Sequence, residues 1–196
     1  MKNLKIFYYF AILTPIVAYT FIFIAIAKTP EFSWIHNALS DLGGPLGIRY
    51  GANIIFNSGL IISGILFFIS LIGIMKDFET IVEKIGVFIL LLSAVFLFLI
   101  GLFPETAGRI HYYVSVGFFV TFPIGMGIIS GSNILRRKDI LLGIYGIFVF
   151  IACLIIWTFP WKNYGVIGVA IPEFLSSLTG SIWVIILAIK RLLETS

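Results

Sequence analysis

Six long apolar runs constrain this chain more than any other feature of its sequence. They extend over Ile6–Ala27, Ala52–Met75, Ile85–Phe103, His111–Leu135, Ile140–Phe159 and Pro172–Lys190. A helix needs about 20 residues to cross roughly 30 Å of hydrocarbon, and each run is near that length. Backbone N–H and C=O groups find no partners in lipid, so the runs must be helical; barrel strands would be shorter and alternating. The expected fold is all-α, an integral membrane six-helix bundle made by one domain over residues 1–196. Composition agrees, because 60% of the residues are hydrophobic and 11% charged, against about 25% charged in a soluble domain. A water-exposed surface cannot be built from so few polar groups. A soluble enzyme, a nucleic-acid-binding module and a disordered chain are excluded.

The charges that remain sort by loop. Lys2, Lys5, Lys76, Lys84, Arg136, Arg137, Lys138, Lys190 and Arg191 fall on one side, and Lys28, Arg49, Arg109 and Lys162 on the other. The positive-inside rule then puts both termini in the cytoplasm of a multi-pass cell-membrane protein. The first run is longer than the 7–15 residues typical of a signal-peptide core, so it reads as the first span. Cys153 is the only cysteine, which rules out an internal disulfide and a cysteine-based metal site. No span carries a histidine at its middle, which argues against haem, and no nucleotide-binding motif is present.

The connections on the outer side hold the polar residues of interest. In Thr29–Gly51, Thr29 and Pro30 suit the start of a short helix and Gly43-Gly44 its end. Such a helix would lie on the outer leaflet, turning Phe32, Ile35, Leu39 and Leu42 to one side. His36 and Ser40 would then share one stripe, and Asn37 and Asp41 the next. Pro-Glu pairs recur at Pro30-Glu31, Pro104-Glu105 and Pro172-Glu173, as an internal repeat or as ordinary first-turn chemistry. Gly59, Gly64, Gly125, Gly127 and Gly131 read as sites of close helix contact.

Two chemistries suit these residues. His36 and His111 with Asp41 and Glu173 form a candidate ligand set for a divalent metal such as zinc, with an open position for water. Without a metal, His36 or His111 is a candidate base and Ser40 a candidate nucleophile, with Asp41 or Glu173 orienting the imidazole. Asn57, Glu105 and Arg109 are candidates for binding a substrate headgroup. Each has a structural reading beside this. His36 suits an interfacial loop and His111 the start of the fourth span, Ser40 to Gly44 suit a helix end, and Glu105 and Arg109 are spaced to pair across one turn.

The order His-Asn-Ala-Leu-Ser-Asp-Leu-Gly (36–43), Ile-Phe-Asn-Ser-Gly-Leu (55–60), Leu-Phe-Pro-Glu before His111, and Ile-Pro-Glu (171–173) resembles a prokaryotic six-span membrane family of unknown function. The Ser-Asp-x-Gly motif followed by an Asn-bearing span is distantly similar to DRAM-like membrane proteins. The resemblance implies polar motifs gathered on one side at Ser40, Asp41, Asn57, Glu105, His111 and Glu173, and a lipid-related role. Membrane hydrolases with a Ser, an Asp and three His around zinc are a further comparison, but this chain has two His and one span fewer. The expected function is binding or modification of a lipid or lipid-linked substrate in an outward-facing polar cavity, hydrolase-like and metal-assisted or not. The alternatives are an accessory or assembly subunit with a protein partner, or a transporter. Membrane lipids are the expected partners; nucleic acid is not.

Overall fold

The computed structural model describes residues 5–194 and is all-α, with no strand among them. Lys2 of the charge tally lies outside these residues. Seven α-helices follow in order: α1 Lys5–Lys28, α2 Pro45–Tyr50, α3 Asn53–Ile74, α4 Ile81–Leu102, α5 Arg109–Leu135, α6 Ile140–Thr158 and α7 Ala170–Glu194. All except α2 are long and apolar enough to cross a membrane, and the protein is a multi-pass membrane protein. Large apolar side chains such as Phe23, Ile72, Phe88, Phe148 and Leu154 stay exposed around the bundle, where lipid replaces water as solvent.

Successive long helices pack side by side, and α7 returns against α1, which closes the ring. Small residues set the closest approaches. A Cβ on Gly64 would sit 2.5 Å from the Phe98 backbone nitrogen, and Gly86 and Gly125 each face the other's carbonyl. Gly131 does not follow this expectation, since nothing lies within 4 Å of the position its Cβ would take.

The fourth helix of the chain starts earlier than its apolar run. Thr80 Oγ1 accepts the Glu83 N–H at 3.2 Å, and Glu83 Oε2 accepts the Thr80 N–H at 3.0 Å. This reciprocal cap carries the first turn back to Ile81 and brings Glu83 and Lys84 into the helix. α7 likewise runs beyond its apolar stretch, through Arg191 to Glu194.

The face carrying both ends of the described chain does more than signal topology. Arg136 bonds Glu79 at 2.5 Å and Glu83 at 3.1 Å, and Lys138 bonds Glu79 at 3.0 Å, joining the start of α4 to the end of α5. Lys190 meets Asp139 at 2.7 Å between α7 and the start of α6. The Tyr8 hydroxyl donates to Asp77, tying α1 to the end of α3. The Arg136 guanidinium and then the Lys138 ammonium hold the exposed Glu79 carboxyl down at about 2.

Candidate functional site

The opposite face is built around the connection from α1 to α3, and it is not the continuous helix its spacing predicts. Residues 34–36 make a turn, Leu39–Leu42 form one short 3-10 turn, and α2 begins immediately after Gly44. The helix is lost because its hydrogen-bonding groups are committed elsewhere. Asn37 Oδ1 accepts the Ser33 N–H at 2.9 Å, and Asp41 Oδ2 accepts from the Ala38 N–H at 3.2 Å and Asn37 Nδ2 at 2.6 Å. Such local side-chain bonds compete with helical ones. The Ile35 carbonyl takes the N–H groups of Ile167 and Gly168, and that of Asn37 takes the N–H of Ala170. Thr29 does not cap a following helix either; its hydroxyl donates back to the Ala25 carbonyl at 2.8 Å and closes α1.

Gly43 and Gly44 permit close approach rather than ending a helix. A Cβ on Gly43 would meet Asn57 Oδ1 at 2.3 Å, and one on Gly44 would meet Glu105 Oε2 at 2.3 Å. Asn57 Nδ2 donates to the Gly43 carbonyl at 3.1 Å, while its buried Oδ1 has no partner. The connection thereby folds down as a roof, with Leu39, Leu42, Gly43 and Gly44 buried.

Beneath the roof lies a cavity of about 100 Å³ between α1, α3, α4, α5 and α7. Leu39, Ser40, Ser115 and Glu173 line its upper part, and Phe67, Phe122 and Val184 lie deeper. Eleven residues separate Glu173 from Val184 on α7, about 16 Å at the helical rise. Tyr19 also lines the wall and donates to Ser177 Oγ at 3.0 Å. The wall is thus mainly aromatic and aliphatic, with hydroxyls and one carboxylate at intervals.

Three predicted carboxylates gather at the top. Glu173 is 9% exposed and accepts the Leu39 N–H at 2.7 Å, and it interacts electrostatically with Asp41 and Glu105. The Glu105 carboxyl lies beside that of Asp41. Burial, and then the neighbouring Asp41 charge, raise the Glu105 carboxyl above its ordinary value. The fold therefore favours protonated Glu105, and its contribution to stability is complete below the unfolded value of about 4.3 and declines as pH rises through the folded value. Glu105→Gln removes the titration. The unfolding midpoint of this variant, minus that of the wild type, should grow as pH rises above the unfolded value of about 4.3; a constant difference would contradict the raised Glu105 carboxyl.

The remaining candidates separate. His36 is exposed on the turn. Arg109 is exposed and makes no ion pair among the described residues, so the expected Glu105–Arg109 pair is replaced by Glu105–Asp41. Among the described residues, no group of three or more His, Cys, Asp or Glu side chains is placed to hold a metal ion. The set His36, His111, Asp41 and Glu173 is not assembled, because the two histidines belong to different surroundings. The Pro-Glu pairs also diverge: Glu31 bonds exposed Arg49, Glu105 faces Asp41, and Glu173 opens α7.

His111 is 8% exposed, and its Nδ1 lies 2.8 Å from the Phe103 carbonyl. A carbonyl only accepts, so Nδ1 carries the hydrogen. Nε2 lies 3.4 Å from Ser115 Oγ, one turn further along α5. Sequence reasoning paired the histidines with Ser40 and missed Ser115, Tyr19 and Ser177. The i, i+4 spacing of His111 and Ser115 was the available signal.

The model of a protein family described as protein of unknown function (DUF998) matches residues 12–190, which include the roof, the cavity and the carboxylates. No curated protein and no solved structure matches the chain. With six membrane-crossing helices and a family match over nearly its whole length, the chain belongs to the DUF998 family of proteins of unknown function.

Proposed function

We propose that this protein binds an amphipathic lipid or lipid-linked molecule, taking its apolar chain into the cavity and holding its polar end under the roof. The carrying observation is one mostly apolar cavity whose carboxylate, Glu173, lies near the roof with Ser40 and Ser115, while Phe67, Phe122 and Val184 dominate the deeper wall beside the hydroxyls of Thr14 and Ser181. Sites for such ligands are concave and mostly apolar, with a few polar groups that fix orientation. Among the described residues no basic side chain lines the cavity to pair with a phosphate headgroup, and the carboxyl and hydroxyl groups near the roof suit an uncharged head that hydrogen-bonds. The count of basic residues supports a roof on the outer face and both termini in the cytoplasm. The likeness of the Ser-Asp-x-Gly motif to DRAM-like proteins points to lipid as well. A divalent metal forms no part of this reading, since the donors proposed for it are not gathered.

Filling the cavity tests the reading. Leu60 lines it, whereas Ile62 is 41% exposed on the lipid side of the same helix. Native mass spectrometry of the detergent-released protein with monolauroylglycerol should show a one-to-one adduct for wild type and Ile62→Trp. Leu60→Trp should lower adduct occupancy about tenfold, the equivalent of roughly 1.4 kcal/mol. Equal occupancy in all three proteins, or none in the wild type, would overturn the proposal.

A further inference from the structure

We infer that Ser115 and His111 form a nucleophile–base pair that cleaves an acyl ester bound in the cavity; the inference rests on the binding role proposed above. Three observations converge on it. The Ser115 hydroxyl bonds an imidazole and no helical carbonyl, unlike Thr14, Thr121, Ser176 and Thr179, which all bond carbonyls of their own helices. The acceptor at Nδ1 fixes the His111 tautomer, which leaves the lone pair of the neutral ring on Nε2, facing Ser115. Ser115 lines the cavity, so its oxygen is presented to whatever the apolar wall holds.

The arrangement is that of a base positioned by a third group, with a backbone carbonyl in the place often taken by a carboxylate. Ser40 shares the cavity, but the His111 ring bonds Ser115 instead. The 3.4 Å separation is loose for proton transfer, as is common before substrate binds.

The step balances with water as the only co-reactant. Ser115 Oγ adds to the ester carbonyl carbon as His111 Nε2 takes the hydroxyl proton. Collapse of the tetrahedral intermediate breaks the bond to the alcohol oxygen, which leaves with the proton from Nε2. Water then adds to the acyl-serine and gives a proton to Nε2, and that proton returns to Ser115 Oγ as the carboxylic acid departs. The substrate class is an acyl ester with an uncharged head, because no basic side chain among the described residues lines the cavity to pair with a phosphate.

Two readouts test this on the full chain in detergent. An alkyl fluorophosphonate should label wild-type protein, and peptide mapping should put the adduct on Ser115. Hydrolysis of monolauroylglycerol should fall to background in Ser115→Ala and about 10²–10⁴-fold in His111→Asn, while Thr158→Ala, which does not line the cavity, keeps it. The monolauroylglycerol adduct of Ser115→Ala in native mass spectrometry reports whether that variant folds and binds. Intact binding without labelling or hydrolysis in the wild type would overturn the inference and leave the binding role standing. Absence of binding in the wild type would overturn both.

Discussion

Gly47→Ala is expected to open the roof and lower stability by about 3 kcal/mol. A Cβ at this position would lie 1.7 Å from the Leu42 carbonyl oxygen and 2.5 Å from its carbon. Both atoms are backbone, so no side chain can swing aside. The Ala52 N–H also bonds the Gly47 carbonyl at 2.8 Å, so displacement of Gly47 pulls on the start of α3. Leu39 and Leu42 would leave their buried positions, and Glu173 would lose the Leu39 N–H. Thermal unfolding in detergent should show the loss, and the monolauroylglycerol adduct should weaken in parallel. Gly131→Ala is the control, because its Cβ meets open space within a helix; there the greater helix propensity of alanine should leave stability equal or about 0.5–1 kcal/mol higher. Equal effects at the two glycines would refute the packing described for the roof.

Glu83→Ala should cost roughly 2–4 kcal/mol, the loss of a helix cap together with charge-assisted hydrogen bonds. The Glu83 side chain is 1% exposed and its partner Arg136 34%. One carboxylate oxygen accepts the N–H groups of Glu79 and Thr80 at 2.9 and 3.0 Å, and the other faces Arg136 at 3.1 Å and Ser132 at 3.3 Å. Alanine removes the helix cap and the link between α4 and α5 together. Arg136→Ala should also be strongly destabilising, since it leaves Glu83 without its cation. The double variant should then cost less than the two single variants summed, because no unpaired buried charge remains. Strict additivity in chemical unfolding would show that the two groups act independently.

The membrane-crossing architecture was legible because lipid leaves a chain few options. Any apolar run of that length must satisfy its own backbone, so hydropathy alone located six helices to within a few residues at most ends. The main departure, at α4, came from charged residues that read as loop and form a capping turn. The roof was not legible. Its apolar and polar stripes have helical spacing, yet Asn37 and Asp41 bond nearby backbone, and the α6–α7 connection takes the Ile35 and Asn37 carbonyls. The partners of those two carbonyls come from more than a hundred residues away.

The site divides in the same manner. Residue type and loop position were enough to mark Ser40, Asp41, Asn57, Glu105, His111 and Glu173 as the polar groups of one face. Which of them meet was decided by packing. Asp41 lies beside Glu105 because Gly44 lets that carboxyl approach, and His36 is left outside because its side chain is exposed on the turn. His111 turns to Ser115 because the Phe103 carbonyl fixes the other side of its ring. The six spans follow from local composition, since the solvent acts on each segment separately. The cavity and its chemistry depend on contacts between segments, which only the closed ring of helices brings together.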